Sequence, residues 1–304
     1  MTAWCYNAFG LSLRSELRLR GMATVDSCGG DTVALRLSDP DEIDRAWTGT
    51  AQEVVGTLPD GSRCVAELAH SGMRRLTYGD RAVYLLSADT RTILCAPEDV
   101  TEPSWQRFLL DAVLLKASEA HGLDALHSSA VEGPNGVLAF ATSSGGGKSS
   151  LAAELVRRGH AFFTDDALTM DRSAGHVRAH PAPPLMNFPL PHPEGFPATD
   201  LGVVQATFGP EAWVAVHNAA SEPRRVASIH LLERRSGLRP GLDRLPASPV
   251  HLLPHALSGG GSPANATRRF ELLADLAADA AIYRLRAEPE IGVAQLADLV
   301  EGAL

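Results

Sequence analysis

Apolar and polar positions alternate in several runs of the first hundred residues: "TVALRLS" (32–38), "EVVGTL" (53–58), "RCVAELA" (63–69) and "DRAVYLLSA" (80–88). A period of two puts every second side chain on one face, so each run predicts a β-strand, and "PDGS" and "YGDR" between them are turn signals. A small β-rich domain over 1–98 is expected. The period then changes. In "PSWQRFLLDAVLLKASEAHG", Trp105, Phe108, Leu109, Ala112, Val113 and Leu115 recur at helical spacing; Ser104 stands at a capping position and Gly122 ends the pattern. This predicts a long amphipathic helix that opens a second domain, 99–304, and packs against the rest of it.

In that domain "ALHSSAVE" and "GVLAFAT" read as two strands joined by the reverse turn "GPNG". The second strand runs into "TSSGGGKSS" (142–150), and "SSLAAELVRRG" then has helical periodicity, with Gly159 as its stop. "HAFFTDDALTM" is an apolar strand interrupted by two acids. The stretch 180–197, "HPAPPLMNFPLPHPEGFP", is too rich in proline for regular structure, and "SGGGSPANA" (258–266) reads as a flexible loop. "RRVASIHLLER" predicts a strand, followed by a helix (267–280), the strand "AIYRLRA" (281–287) and a last amphipathic helix (290–302). No internal repeat is present, and the fold class is α/β.

Composition narrows the function. The chain has 304 residues, 45% of them hydrophobic, with a formal net charge of −9, so it can bury a core but carries no broad basic face for nucleic acid. No apolar run approaches the roughly 18 residues of a membrane span, and the N-terminus lacks the pattern of a signal peptide, which makes a cytoplasmic protein the expectation. Cys5, Cys28, Cys64 and Cys95 form no CxxC pair or Cys/His cluster and are expected as free, buried thiols. Lys116 and Lys148 are the only lysines. One of them stands in the glycine-rich loop.

A strand, a glycine-rich loop and a helix in succession form the setting in which main-chain amides converge on phosphate oxygens. Gly145, Gly146 and Gly147 supply the backbone freedom, Lys148 the cation for the β- and γ-phosphates, and Ser149 a hydroxyl for Mg²⁺. Ser144 and Ser150 complete the segment expected to hold the nucleotide. The pattern GxxxxGK[ST] is met except at its first position, where Thr142 stands for glycine. Asp165 and Asp166 are adjacent on a strand and so point to opposite faces, which suggests one acid near the metal and one near an incoming hydroxyl. His127 lies on the strand paired with the one that feeds the loop. Arg268 and Arg269 are candidates for a further cation over the γ-phosphate, and the proline-rich loop for receiving an extended peptide.

The string "LHSSAVEGPNGVLAFATSSGGGKSSLAAELVRRGHAFFTDDALTM" resembles the core of the C-terminal domain of HPr kinase/phosphorylase. That family has a histidine on the strand before the phosphate loop, then GxxGxGKS, a helix ending in an "RGH"-like turn, and a double aspartate. The opening "YNAFGLSLRSEL" and "LHSSAV" are similar to a group of stand-alone kinases found beside ribosomally made peptides, lasso peptides among them. The resemblance implies a kinase domain of the HPr-kinase/PEP-carboxykinase type that uses ATP and Mg²⁺ to phosphorylate a hydroxyl, serine first, on a peptide or small protein. It implies Asp165 as the base with His127 assisting, and Asp166 with Ser149 as metal ligands. The regulatory enzymes carry glutamate where this chain has Ser150, and their C-terminal phosphorylase signature has no counterpart here, which points to simple kinase chemistry. The alternatives are a kinase of a small hydroxylated metabolite and a nucleotide-binding regulator without turnover. Expected partners are the peptide or small-protein substrate, with no nucleic acid and no membrane; a homo-oligomer is compatible with the chain.

Overall fold

The computed structural model describes residues 3–48, 51–57, 61, 63–143, 145–173, 175–192, 195–257 and 263–304. They fall into two compact units, Met1–His121 and Gly122–Leu304.

The first unit is built on β1 (Trp4–Ala8), β2 (Leu11–Ser15), β3 (Thr32–Leu37), β4 (Ala51–Thr57), β5 (Arg63–Ala69), β6 (Arg74–Tyr78), β7 (Ala82–Leu86) and β8 (Thr92–Pro97). They form one sheet in the order β1-β2-β3-β8-β7-β6-β5-β4. Helix α1 (Pro40–Ala46) is capped by the Asp39 carboxylate, which accepts from the Glu42 amide. The predicted long helix runs as α2 (Pro103–Phe108), a π-helical turn (Leu109–Val113) and α3 (Leu114–Ala120).

That helix corrects two expectations. Its cap position is Glu102 with Pro103 at the first turn, while Ser104 is buried inside it. It also belongs to the first unit, so the compact units divide at residue 121 rather than at 98. The reason is its fastening to the first sheet: the Tyr84 hydroxyl donates to the Trp105 carbonyl (2.6 Å), the Ser118 hydroxyl donates to the Phe9 carbonyl (2.7 Å), and the Phe108 ring stacks on Tyr78. The cysteines differ as well. Cys5 and Cys28 form a disulfide because the segment after β2 folds back along β1, with the Val25 amide donating to the Cys5 carbonyl. Cys64 and Cys95 are free.

The second unit contains β9 (Asp124–Leu126), β10 (Ser128–Gly133), β11 (Gly136–Ala141), α4 (Lys148–Arg157), β12 (Ala161–Thr164), β13 (Leu168–Ser173), β14 (His176–His180) and β15 (Leu185–Pro189). It continues with β16 (Gly202–Phe208), β17 (Glu211–Val216), β18 (Arg224–Arg234), β19 (Gly241–Arg244), β20 (Ala256–Leu257), α5 (Pro263–Asp279), β21 (Ala281–Ala287) and α6 (Val293–Glu301). The main sheet runs β12-β10-β11-β18-β14-β13-β9-β20, with β21 beside β18 and β19 beside β21. Strands β11, β18 and β21 are parallel. Their carboxyl ends therefore lie on one edge, where α/β sheets bind ligands.

Alternation along β11 decides what covers each face. Leu138 and Phe140 join the core formed with α4 and α6 (Leu151, Leu155, Leu296, Val300), while Val137 and Ala139 join the core formed with α5 (Leu272, Leu273, Leu276). A small sheet, β15-β17-β16, covers the α4 side with Met186, Phe188 and Val214. Its first strand lies inside the stretch expected to be irregular. The prolines there sit before and at the end of "LMNF", leaving Met186 and Phe188 free to enter the core on one face. Of the expected flexible loop 258–266, residues 258–262 lie outside the described residues and 263–266 open α5.

The two predicted strands around His127 and the aspartates are each broken in two. Strand β10 pairs with β12, and β9 pairs with β13, so the chain changes partners at His127 on one side and at 165–167 on the other. These breaks face each other across the register Ala130↔Thr164 and Leu126↔Leu168.

Candidate functional site

The loop after β11 has the conformation that its glycines permit. Gly145 and Gly147 have φ of 79° and 93°, a region that costs a side-chain-bearing residue about one or two kcal/mol but costs glycine almost nothing. Gly147 is the N-cap of α4, and among the described residues no side chain caps the helix, so its first amides and the positive end of its dipole are left for a ligand. Thr142 does not prevent the turn. Its buried side chain fills the space that a Cβ on Gly146 would occupy, so the bulk added at position 142 is accommodated by the glycine opposite it. Ser144 lies outside the described residues; Ser150 is in the first turn of α4.

Lys148 is 7% exposed, and its ammonium lies 2.8 Å from Asp166 Oδ1. Asp165 turns the other way. Its Oδ1 accepts from the hydroxyls of Ser129 (2.6 Å) and Ser149 (2.7 Å), and its Oδ2 accepts from the Asn187 amide at 3.3 Å. Burial, followed by the neighbouring Asp166 charge, raises the pKa of Asp165 to about 6, while the two serine hydroxyls and Lys148 pull it down. The divergence of the two carboxylates is fixed locally. The Ala167 amide donates to the Asp165 carbonyl (2.9 Å), the Thr164 hydroxyl donates to the Ala167 carbonyl, and Asp166 between them adopts φ 65°, which aspartate tolerates better than most residues.

The expected metal pair, Ser149 and Asp166, is not hydrogen-bonded in this arrangement. Ser149 shares a hydrogen bond with Asp165, not with Asp166, because the left-handed turn carries Asp166 to the lysine. Among the described residues no three His, Cys, Asp or Glu side chains gather as a metal cluster. What does gather is an oxygen set, the Ser129 and Ser149 hydroxyls and the Asp165 carboxylate. Such a set suits a hard cation that keeps several waters and takes its other ligands from phosphate, as Mg²⁺ does.

His127 sits at the break between β9 and β10. Its Nδ1 lies 3.0 Å from the Asp166 carbonyl, which can only accept, so Nδ1 carries the proton and Nε2 of the neutral ring is the acceptor. The His127 amide donates to the His255 carbonyl, and burial, followed by repulsion from His127 when that ring is protonated, lowers the pKa of His255. Arg268 and Arg269 are committed elsewhere: each donates from Nε to the buried Asp124 carboxylate at 3.2 Å, which ties α5 to β9.

Three contributors are absent from the set that the sequence singles out. Ser129 lies two residues from His127, and period-two alternation offers it as a neighbour on the same face. Asn187 and His255 enter through main-chain groups, which leave no residue-type signal.

No family model matches the chain, and no curated protein does. A solved structure titled as the Hpr(Ser) kinase/phosphatase from Coxiella burnetii matches over 59% of this chain and 89% of that chain, at 12% identity and a TM-score of 0.33. Similarity at that level leaves the chemistry to be argued from the geometry of this chain.

Proposed function

We propose that the second unit is an ATP-dependent phosphotransferase acting on a hydroxyl group. One observation carries this reading: at the head of α4 a lysine, two serine hydroxyls and two carboxylates converge on a glycine turn with uncapped helix amides. Phosphoryl transfer needs little else from a protein beyond positioning and charge neutralisation.

In this reading the amides of 145–149 and Lys148 hold the triphosphate, and Ser149 with Asp165 would hold Mg²⁺. Bound there, the metal would neutralise charge on the β- and γ-phosphates. Lys148 turns from Asp166 to the phosphates, and Asp166 takes the proton of the acceptor hydroxyl as its oxygen bonds to the γ-phosphorus and the bond to the β-phosphate oxygen breaks, leaving ADP and a phosphate monoester. His127 orients the turn through the Asp166 carbonyl. The roles of the two aspartates are thus exchanged relative to those that the sequence resemblance implies. The contact of Ser149 with Asp165 supports the exchange.

The acceptor we propose is a serine on a ribosomally made peptide or small protein, lasso-peptide precursors included; the similarity of "YNAFGLSLRSEL" and "LHSSAV" to such kinases supports it. Incubation with Mg-ATP and the peptides encoded beside the gene, read by intact mass, tests it. A gain of one phosphoryl group on a serine is expected. Transfer only to free serine-type metabolites would overturn the peptide assignment, and nucleotide binding without transfer to any acceptor would overturn the kinase.

A further inference from the structure

We infer that Arg234 is a positioning residue for the phosphate tail of the nucleotide, an inference that rests on the phosphotransferase reading above. Strand β18 is the parallel neighbour of β11, with Leu231 in register with Ala141, so its last residues run on beside the glycine turn. Arg234 ends that strand. Its Nη1 lies 3.2 Å from the point where a Cβ on Gly147 would stand, so the guanidinium lies against the turn itself. Nη2 donates to the carbonyls of Pro289 (2.8 Å) and Ile291, in the segment after β21.

A guanidinium has five N–H donors. The two carbonyls engage Nη2 alone, and they neutralise no charge. Among the described residues Nε is buried without a hydrogen-bond partner. The adjacent acid, Glu233, is turned to Arg235 (3.6 Å) and Arg284 (3.7 Å) instead. Arg234 is therefore a cation fixed on one side by main-chain oxygens, with donors left over beside a turn whose amides also seek an anion. A phosphate oxygen of a nucleoside di- or triphosphate satisfies both. Lys148 supplies a mobile point charge from one side; Arg234 supplies a planar, anchored one from the neighbouring strand. Gly147 is held to glycine by its φ of 93° and by this guanidinium together.

The test is calorimetric titration of Mg-ADP and of Mg-pyrophosphate, which carries a phosphate tail without base or sugar, into the full chain and its Arg234→Gln and Arg234→Lys variants. A lost charge-assisted contact predicts roughly ten- to hundredfold weaker binding of both ligands by Arg234→Gln, with part of the loss restored by Arg234→Lys. A residue that merely braces the 289–291 segment would lower the melting midpoint and leave both affinities of the folded protein unchanged, which would overturn the inference. Loss of Mg-ADP affinity with Mg-pyrophosphate affinity intact would overturn it too. If the wild-type chain binds neither ligand, the phosphotransferase reading falls and this inference with it; if wild type binds and Arg234→Gln binds equally, only the inference falls.

Discussion

The Lys148 ammonium and the Asp166 carboxylate lie 2.8 Å apart. In the proposed kinase these two groups serve opposite reactants, the phosphate donor and the acceptor hydroxyl, so their contact opens for the reaction. Asp166 is 51% exposed at its side chain and is held by a turn rather than by a core, which makes the separation inexpensive.

Asp166→Asn therefore separates binding from chemistry. Removal of the lysine's competing partner should leave Mg-ADP affinity unchanged or raise it up to a few fold, while transfer falls by about a hundredfold or more, as loss of a general base does. Titration calorimetry beside a single-turnover assay reads both. Weakened ADP binding with transfer intact would reverse the assignment of the two aspartates.

Asp165 gives a prediction in pH. Its pKa is raised above the ordinary carboxylate value to about 6, by burial first, so the native state binds this proton more tightly than the unfolded chain does. The stability it contributes is full below about pH 4 and is lost as pH rises through about 6. Asparagine suffers no such loss. The melting midpoint of metal-free Asp165→Asn minus that of wild type should therefore become more positive between about pH 5 and about pH 7.5, and a flat difference would mean that the carboxylate is not buried as described.

Thr142 and Gly146 should behave as a coupled pair. Gly146→Ala forces a methyl group into the Thr142 side chain and should cost about 1–3 kcal/mol by denaturant unfolding. In a Thr142→Gly background, which restores the first glycine of the loop, much of that cost should vanish. Additive costs would show that the threonine does not fill the space opposite Gly146.

Legibility in the sequence tracks the range of the forces involved. The hairpin over 128–141, the long strand 224–234 and the loop-to-helix junction are legible because alternation, glycine punctuation and helical period are local signals. Strand alternation predicts that Asp165 and Asp166 diverge, but they lie between β12 and β13 and their divergence comes from the left-handed turn at Asp166; which of them meets Ser149 depends on that turn and on a helix arriving from elsewhere. The Cys5–Cys28 bond, the capture of Arg268 and Arg269 by Asp124, and the strand hidden among the prolines of 180–197 all arise from long-range partners. Arg234 reads in the sequence as the end of a strand. Only its position beside Gly147 distinguishes it from the other arginines of this chain.

The most direct measurement of the central claim is the melting midpoint of the full chain with and without saturating Mg-ATP, for wild type and for Lys148→Ala. A ligand at about a hundred times its dissociation constant adds about 2.7 kcal/mol to the stability of the state that binds it. Wild type should melt several degrees higher with the nucleotide, and Lys148→Ala, with a similar midpoint when free of ligand, should show little or no rise. Equal midpoints for wild type with and without Mg-ATP would contradict a phosphate-binding turn at the head of α4.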